Sequence, residues 1–225
     1  MSAIDIYTRI EGLAAAIPFA NLDTDQIMPK QFLRGIDKSG LDNGVLHDMR
    51  FDEEGRIRPD FILNRPEYAD TRILLAGPNF GCGSSREHAV WGLLQFGIRA
   101  IVASSFGEIF YSNAMNNRLL LVMVSEDDVQ ALMQDTARAQ QGELSIDLKS
   151  MTVRSAAREI PFALSRRHRE MFIQGQDLIG ASLVHREAIN AFAAQHWERQ
   201  PWLKNVAALT MQRLVESGQI VPNKA

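Results

Sequence analysis

The sequence predicts an α/β fold: a parallel strand–helix core with additional antiparallel strands. Three observations predict it. Short apolar runs at 72–76, 99–103 and 119–124 alternate with two stretches of helical composition. A glycine-rich turn, Gly77 to Gly83, links the first run to the first helix. Farther along, residues 143–163 alternate between apolar and polar.

In chain order, residues 1–20 alternate through Ile4, Ile6, Ile10 and Leu13 and stop at Pro18, which gives one or two short strands. Residues 21–29, NLDTDQIMP, form a polar turn closed by proline. Residues 35–70 are rich in Gly, Asp, Asn and Pro, a long excursion with little regular structure; such loops are often functional. RILLA (72–76) is a buried strand and Ser84–Phe96 a helix with Ala89, Leu93 and Phe96 at helical spacing. RAIVA (99–103) is a second strand. Ser105–Asn117 is a second helix, with Ile109 and Phe110 on one face and Asn116 and Asn117 ending it and tying loops together. LLLVMV (119–124) is the third strand, so right-handed crossovers make the core parallel. Ser125 starts a helix over 126–140, residues 165–175 and 186–199 read as helices, and Leu203, Val206, Leu209 and Leu214 give 201–225 a helical spacing. That last stretch fits docking on a partner or on the domain itself.

Composition narrows the function. The chain has 225 residues, 46% hydrophobic and 23% charged, enough for a packed core without staples. Its net charge of −3 gives no reason to expect nucleic acid or an anionic membrane as partner. No apolar run approaches the ~20 residues of a membrane span, and Met1–Ile10 lacks the apolar core of a secretory signal. One cysteine, Cys82, excludes an intramolecular disulfide and makes a cytoplasmic setting the default. It also argues against a complete iron–sulfur site in this chain. The five histidines show neither H-E-x-x-H nor an i, i+4 pair, so no metal is expected here.

The segment GPNFGCGSSREH (77–88) carries the chemistry. A strand-to-helix turn aims unpaired N–H groups and the positive helix end at its loop, which suits an anion. Gly81 and Gly83 admit close backbone approach, and Arg86 adds a planar fork for a carboxylate. Ser84-Ser85-Arg86-Glu87 also fits the S-x-x-E capping box, a purely structural reading compatible with the first. The segment matches neither a dinucleotide-binding fingerprint, a P-loop, nor a nucleophile elbow around Cys82. Cys82 reads more simply as a small buried residue than as a nucleophile, and His88 as a packing residue than as a base.

GCGSSREH, preceded by NF, resembles the signature of the small, swivelling β/β/α domain of the aconitase superfamily. NLDTDQIMP and SFGEIFYSNAMNNRLL (105–120) are similar to its second and third motifs. Their order and spacing, with RRH at 166–168 and the Ile179-Gly180 region, resemble the family of separate small subunits of 3-isopropylmalate dehydratase. The likeness implies a swivelling domain over residues 1–200 and a C-terminal extension over 201–225. It implies dehydration of 2-isopropylmalate to 2-isopropylmaleate and rehydration to 3-isopropylmalate, a step of leucine biosynthesis. It further implies a large-subunit partner carrying a four-iron, four-sulfur cluster, with no cofactor in this chain, and a small dicarboxylic hydroxy acid as substrate.

By the same resemblance, Ser84 matches the base that removes a proton as an alkoxide, and Arg86 the arginine that grips a substrate carboxylate. Gly83 and Ser85 would offer backbone amides. Asp25, preceded by Thr24, would orient an active-site cation or the base region; for Asp23 an ordinary Asx turn serves equally well. Residues 30–36 would read the substrate side chain, with Leu33 or Ile36 facing an isopropyl group and Lys30 or Arg34 a carboxylate. Related hydro-lyases acting on homoaconitate, citramalate or dimethylmalate stay open, as do a free-standing thiol hydrolase using Cys82 and His88 and a non-catalytic anion-binding scaffold.

Overall fold

The computed structural model describes residues 8–33, 39–83, 86–138 and 142–220. Its first strand, β1 (Arg9–Ile17), is one unbroken run with Ile10, Ala14, Ala15 and Ile17 buried. One helical turn, α1 (Thr24–Ile27), lies where a polar turn was expected. The excursion that follows holds another, α2 (His47–Arg50), and short 3-10 turns at Leu41–Gly44, Ile62–Asn64 and Pro66–Tyr68. It is more ordered than its composition implies because Leu41, Val45, Leu46 and Leu63 are buried in the core.

The core elements then alternate: β2 (Ile73–Ala76), α3 (Glu87–Phe96), β3 (Ala100–Ala103), α4 (Glu108–Asn116), β4 (Leu120–Met123) and α5 (Glu126–Arg138). Next come β5 (Glu143–Asp147), β6 (Thr152–Arg154), β7 (Glu159–Pro161) and α6 (Arg166–Gln174). A seven-stranded sheet runs β4-β3-β2-β1-β5-β6-β7. Strands β4, β3, β2 and β1 are parallel; β1, β5, β6 and β7 are antiparallel. The α/β class with a parallel core and antiparallel strands is therefore observed. Residues of β2 and β3 are buried throughout, as expected of parallel strands covered on both faces.

Strand β1 joins the two halves. Its first half pairs β5 (Gly12 opposite Leu144) and its second half pairs β2 (Ala14 opposite Ile73). Gly12 sits at the handover with φ +146, and a Cβ there would lie 2.9 Å from Arg72 Cδ. Only glycine lets the strand change neighbours at that point.

Two local readings need correction. Helix α3 begins at Glu87 with Arg86 as N-cap, later than the start at Ser84 expected from composition, and the Glu87 carboxylate accepts a hydrogen bond from Asn117; the Ser84 side of the expected capping box lies outside the described residues. On α4, Phe110 is 2% exposed and Ile109 49%. Successive helical residues point about 100° apart, so the pair does not share a face. Ser125 does cap α5, its Oγ accepting the Asp128 N–H at 3.1 Å.

Helix α5 is tied to the turn between β6 and β7 by Asp135, which accepts from Arg158 Nε at 2.6 Å, Arg158 Nη2 at 3.0 Å and Ser155 Oγ at 2.6 Å. The Arg158 bonds, then Ser155, hold this carboxyl below the usual range. A depressed folded-state value stabilises above the unfolded value of about 3.9 and is lost as pH falls through the folded one. Asp135→Asn is therefore expected to lower the urea midpoint at pH 7 and to flatten its decline below about pH 4.

The chain forms two compact units, Met1–Leu178 and Ile179–Ala225. The second holds α7 (Leu178–Leu183) from its second residue onward, α8 (Arg186–Arg199) and α9 (Val206–Glu216). Helix α8 lies in the same unit as the C-terminal helix and buries none of its residues.

Candidate active site at the carboxyl edge of the parallel strands

The three motif loops leave from one edge of the sheet, after β1, β2 and β3. Carboxyl ends of parallel strands are where open α/β sheets bind ligands. Pairing continues beyond the strands through parallel bridges between Asp23 and Cys82 and between Phe80 and Phe106. Thr24 N–H donates to Cys82 O at 3.0 Å and Gly81 N–H to Leu22 O at 2.7 Å. On the other side, Phe80 N–H donates to Ser105 O at 3.2 Å and Gly107 N–H to Phe80 O at 2.9 Å.

Side chains lock the same loops. Asn21 and Asn79 both adopt left-handed backbone, φ 56 and 57, which asparagine tolerates better than most residues. The Asn79 amide donates to Asn21 Oδ1 at 2.8 Å, and its backbone N–H to Ser105 Oγ at 2.8 Å. Gly81 has φ +74, and a Cβ there would sit 2.3 Å from the Phe110 ring. That ring packs edge-on against Phe80, 5.5 Å between centroids. Gly81→Ala combines left-handed strain with a clash, and is expected to cost about 2–4 kcal/mol in urea unfolding. A midpoint like that of the wild type would show that the turn is not held as described.

Arg86 and Asp25 come together as an ion pair, joining the second motif to the first. The Arg86 side chain is 25% exposed and that of Asp25 59%, so the pair borders solvent at the edge. Asp23 forms a reciprocal capping box with Gln26: its Oδ1 accepts Gln26 N–H at 2.7 Å, and its own N–H donates to Gln26 Oε1 at 3.0 Å. The box fixes the turn that presents Asp25. Gly83 is exposed with φ +92. Thr24, expected as a substrate contact, is 1% exposed and serves the loop junction through its backbone. Lys30 is exposed at the start of a 3-10 turn, Lys30–Leu33, whose last residue is half-buried against the core. Ser84, Ser85, Arg34 and Ile36 lie outside the described residues.

A cavity of about 250 Å³ opens beside these loops, lined by Gly81, Cys82, Gly83, Gly107, Glu108 and Ile109. Gly107 caps α4 with no side-chain acceptor, so first-turn N–H groups of that helix stand at the cavity wall. Backbone N–H groups at a helix start suit a carboxylate, as does the guanidinium fork of Arg86, three residues after Gly83 in the chain. Cys82 Sγ donates to Asn21 O at 3.3 Å, while the His88 ring packs on Trp91 at 4.8 Å. No hydrogen bond joins Cys82 to His88, so the thiol–imidazole pair of a hydrolase is not assembled among the described residues. Nor do those residues bring three His, Cys, Asp or Glu side chains together as a metal site. His168 of the RRH segment packs against Tyr111, ring centroids 5.9 Å apart, and burial lowers its pKa.

Sequence reading passed over Asn21, Asn79 and Ser105. The signal for Asn79 was present, since asparagine directly after proline in a glycine-rich run marks a turn that tolerates left-handed backbone. The Asp23-x-x-Gln26 box was also readable, being the same pattern assigned to Ser84.

A family model described as the aconitase C-terminal domain matches residues 4–127. A protein of Chromobacterium violaceum named 3-isopropylmalate dehydratase small subunit 1 is 61% identical over 209 residues, covering 93% of this chain and 99% of its own. The 3-isopropylmalate dehydratase small subunit of Phenylobacterium zucineum is 44% identical over 202 residues, 89% and 99% of the two chains. Among solved structures, 3-isopropylmalate dehydratase from Methanocaldococcus jannaschii superposes with a TM-score of 0.57 at 28% identity, over 82% of this chain and 99% of that one.

Proposed function

The chain belongs to the aconitase C-terminal domain family and, within it, to the small subunits of 3-isopropylmalate dehydratase; from that premise we propose that it supplies the proton-removing and carboxylate-gripping half of a hydro-lyase site completed by a large subunit. The reaction is the isomerisation of 2-isopropylmalate to 3-isopropylmalate through 2-isopropylmaleate. The observation that carries this reading is the Asp25–Arg86 pair at the open edge, beside Gly83.

Removing a proton beside a carboxylate is difficult because that C–H is weakly acidic. Ser84, which follows Gly83 in the chain, is the base, and donors at a helix start lower the cost of its alkoxide. Arg86 binds a substrate carboxylate through its fork while Asp25 holds the guanidinium in place. Gly83 and Ser85 contribute backbone N–H groups. Lys30, Leu33 and Arg34 border the substrate's distinguishing side chain. Thr24 acts from beneath, by fixing the turn. One cysteine and no ligand cluster among the described residues do not fit a four-iron, four-sulfur cluster, which on this reading belongs to the partner.

The partner's approach has support in the first unit. Among its described residues, four large apolar side chains are well exposed: Phe19, Ile57, Ile109 and Met123. Phe19 follows β1, Met123 ends β4 and Ile109 lies in the first turn of α4, so three of the four stand at the edge that carries the site. No helix among the described residues is long and apolar enough to cross a membrane. A single cysteine makes a reducing compartment the default setting, and on that ground we place the assembled enzyme in the cytoplasm.

A substrate panel tests the assignment. The chain, combined anaerobically with a large subunit, should give its highest kcat/KM with isopropylmalate. Homoaconitate, citramalate and dimethylmalate should be slower by about 10-fold or more, the usual worth of a methyl or carboxylate mismatch. A preference for one of the others would transfer the chain to a related hydro-lyase.

A further inference from the structure

We infer that Asn117 is a positioning residue that keeps the Glu87 carboxylate away from the acid-binding fork of Arg86. The inference rests on the functional reading above. Asn117 is the C-cap of α4. Its Oδ1 accepts Trp91 Nε1–H at 3.0 Å, and its Nδ2 donates to Glu87 Oε1 at 2.6 Å and to the Asn113 carbonyl at 2.9 Å. An indole N–H can only donate and a carboxylate only accept, so the amide orientation is fixed by its partners. Glu87 and Trp91 are one turn apart on α3. One amide therefore bolts the first two turns of α3 to the end of α4.

The consequence lies at the site. Glu87 is adjacent to Arg86, with neighbouring Cα atoms about 3.8 Å apart. It is a negative charge at the helix end where an anionic substrate must bind. Untethered, it would compete for the guanidinium and repel the incoming acid. Bound to Asn117, it is directed toward α4. Asparagine alone among the uncharged side chains of this length donates to Glu87 and accepts from Trp91 at once.

The test separates this role from simple bracing. With the reconstituted pair, Asn117→Ala should raise KM for isopropylmalate by about tenfold. Adding Glu87→Gln to that variant should return KM to within about twofold of Glu87→Gln alone, because a neutral amide neither competes nor repels. Glu87→Gln keeps an acceptor for Asn117 and sets the reference. Should Asn117→Ala fail to fold, Asn117→Asp decides the matter: it keeps the Trp91 acceptor but repels Glu87, and Glu87→Gln should again restore KM. An unchanged KM in Asn117→Ala and Asn117→Asp, or an equal rise once Glu87→Gln is added to either, overturns the inference while leaving the dehydratase reading intact. A wild-type pair with no turnover of isopropylmalate overturns that reading, and the inference with it.

Discussion

Replacing Ser84 by alanine is expected to lower kcat of the reconstituted pair by roughly 10²–10⁴-fold, the range spanned by a positioned general base. A serine hydroxyl is far too weak an acid to ionise in water, so its use as a base demands donors that favour the alkoxide. The chain supplies the setting. Gly83, directly before Ser84, is exposed at the carboxyl edge, and Arg86, two residues after it, is the N-cap of α3. Because the loss falls on proton transfer, KM should move little. A kcat within a few-fold of the wild type, in a variant that still binds the large subunit, would remove Ser84 from the chemistry and leave the loop a scaffold.

Arg86→Lys should act on binding. We expect KM to rise by roughly 10- to 100-fold, the loss of one charge-assisted bidentate contact. Lysine retains the charge but not the fork, and cannot hold Asp25 and a substrate carboxylate in one plane. Asp25→Asn should show a smaller rise, because the guanidinium remains and only its orientation loosens. The order matters: an effect of Asp25→Asn larger than that of Arg86→Lys would mean that Asp25 touches the reacting groups itself. A wild-type KM in Arg86→Lys would show that the substrate carboxylate binds elsewhere.

How much of this was legible in the sequence follows from the range of the interactions involved. The parallel core was readable because RILLA, RAIVA and LLLVMV are apolar throughout, and buried parallel strands need such runs. The start of α3 was misread for a local reason. Ser84-x-x-Glu87 has the capping pattern, but the helix starts at Glu87 with Arg86 as N-cap, and Glu87 accepts from Asn117, thirty residues away in sequence, a partner that no local pattern reports. The excursion over 35–70 looked loose because its few apolar residues are scattered, yet Leu41, Val45, Leu46 and Leu63 each find the core. At the site, single motifs named Arg86 and Asp25, while their pairing is a tertiary fact that brings two loops together. Thr24 was named for its neighbour's sake; its burial belongs to the loop junction.

The most direct test is a titration of this chain, prepared without iron, with its large subunit under anaerobic conditions, following interconversion of the two isopropylmalates. The chain alone should show no turnover, and activity should rise and saturate as the partner is added. Full activity of the isolated, iron-free chain would contradict the account.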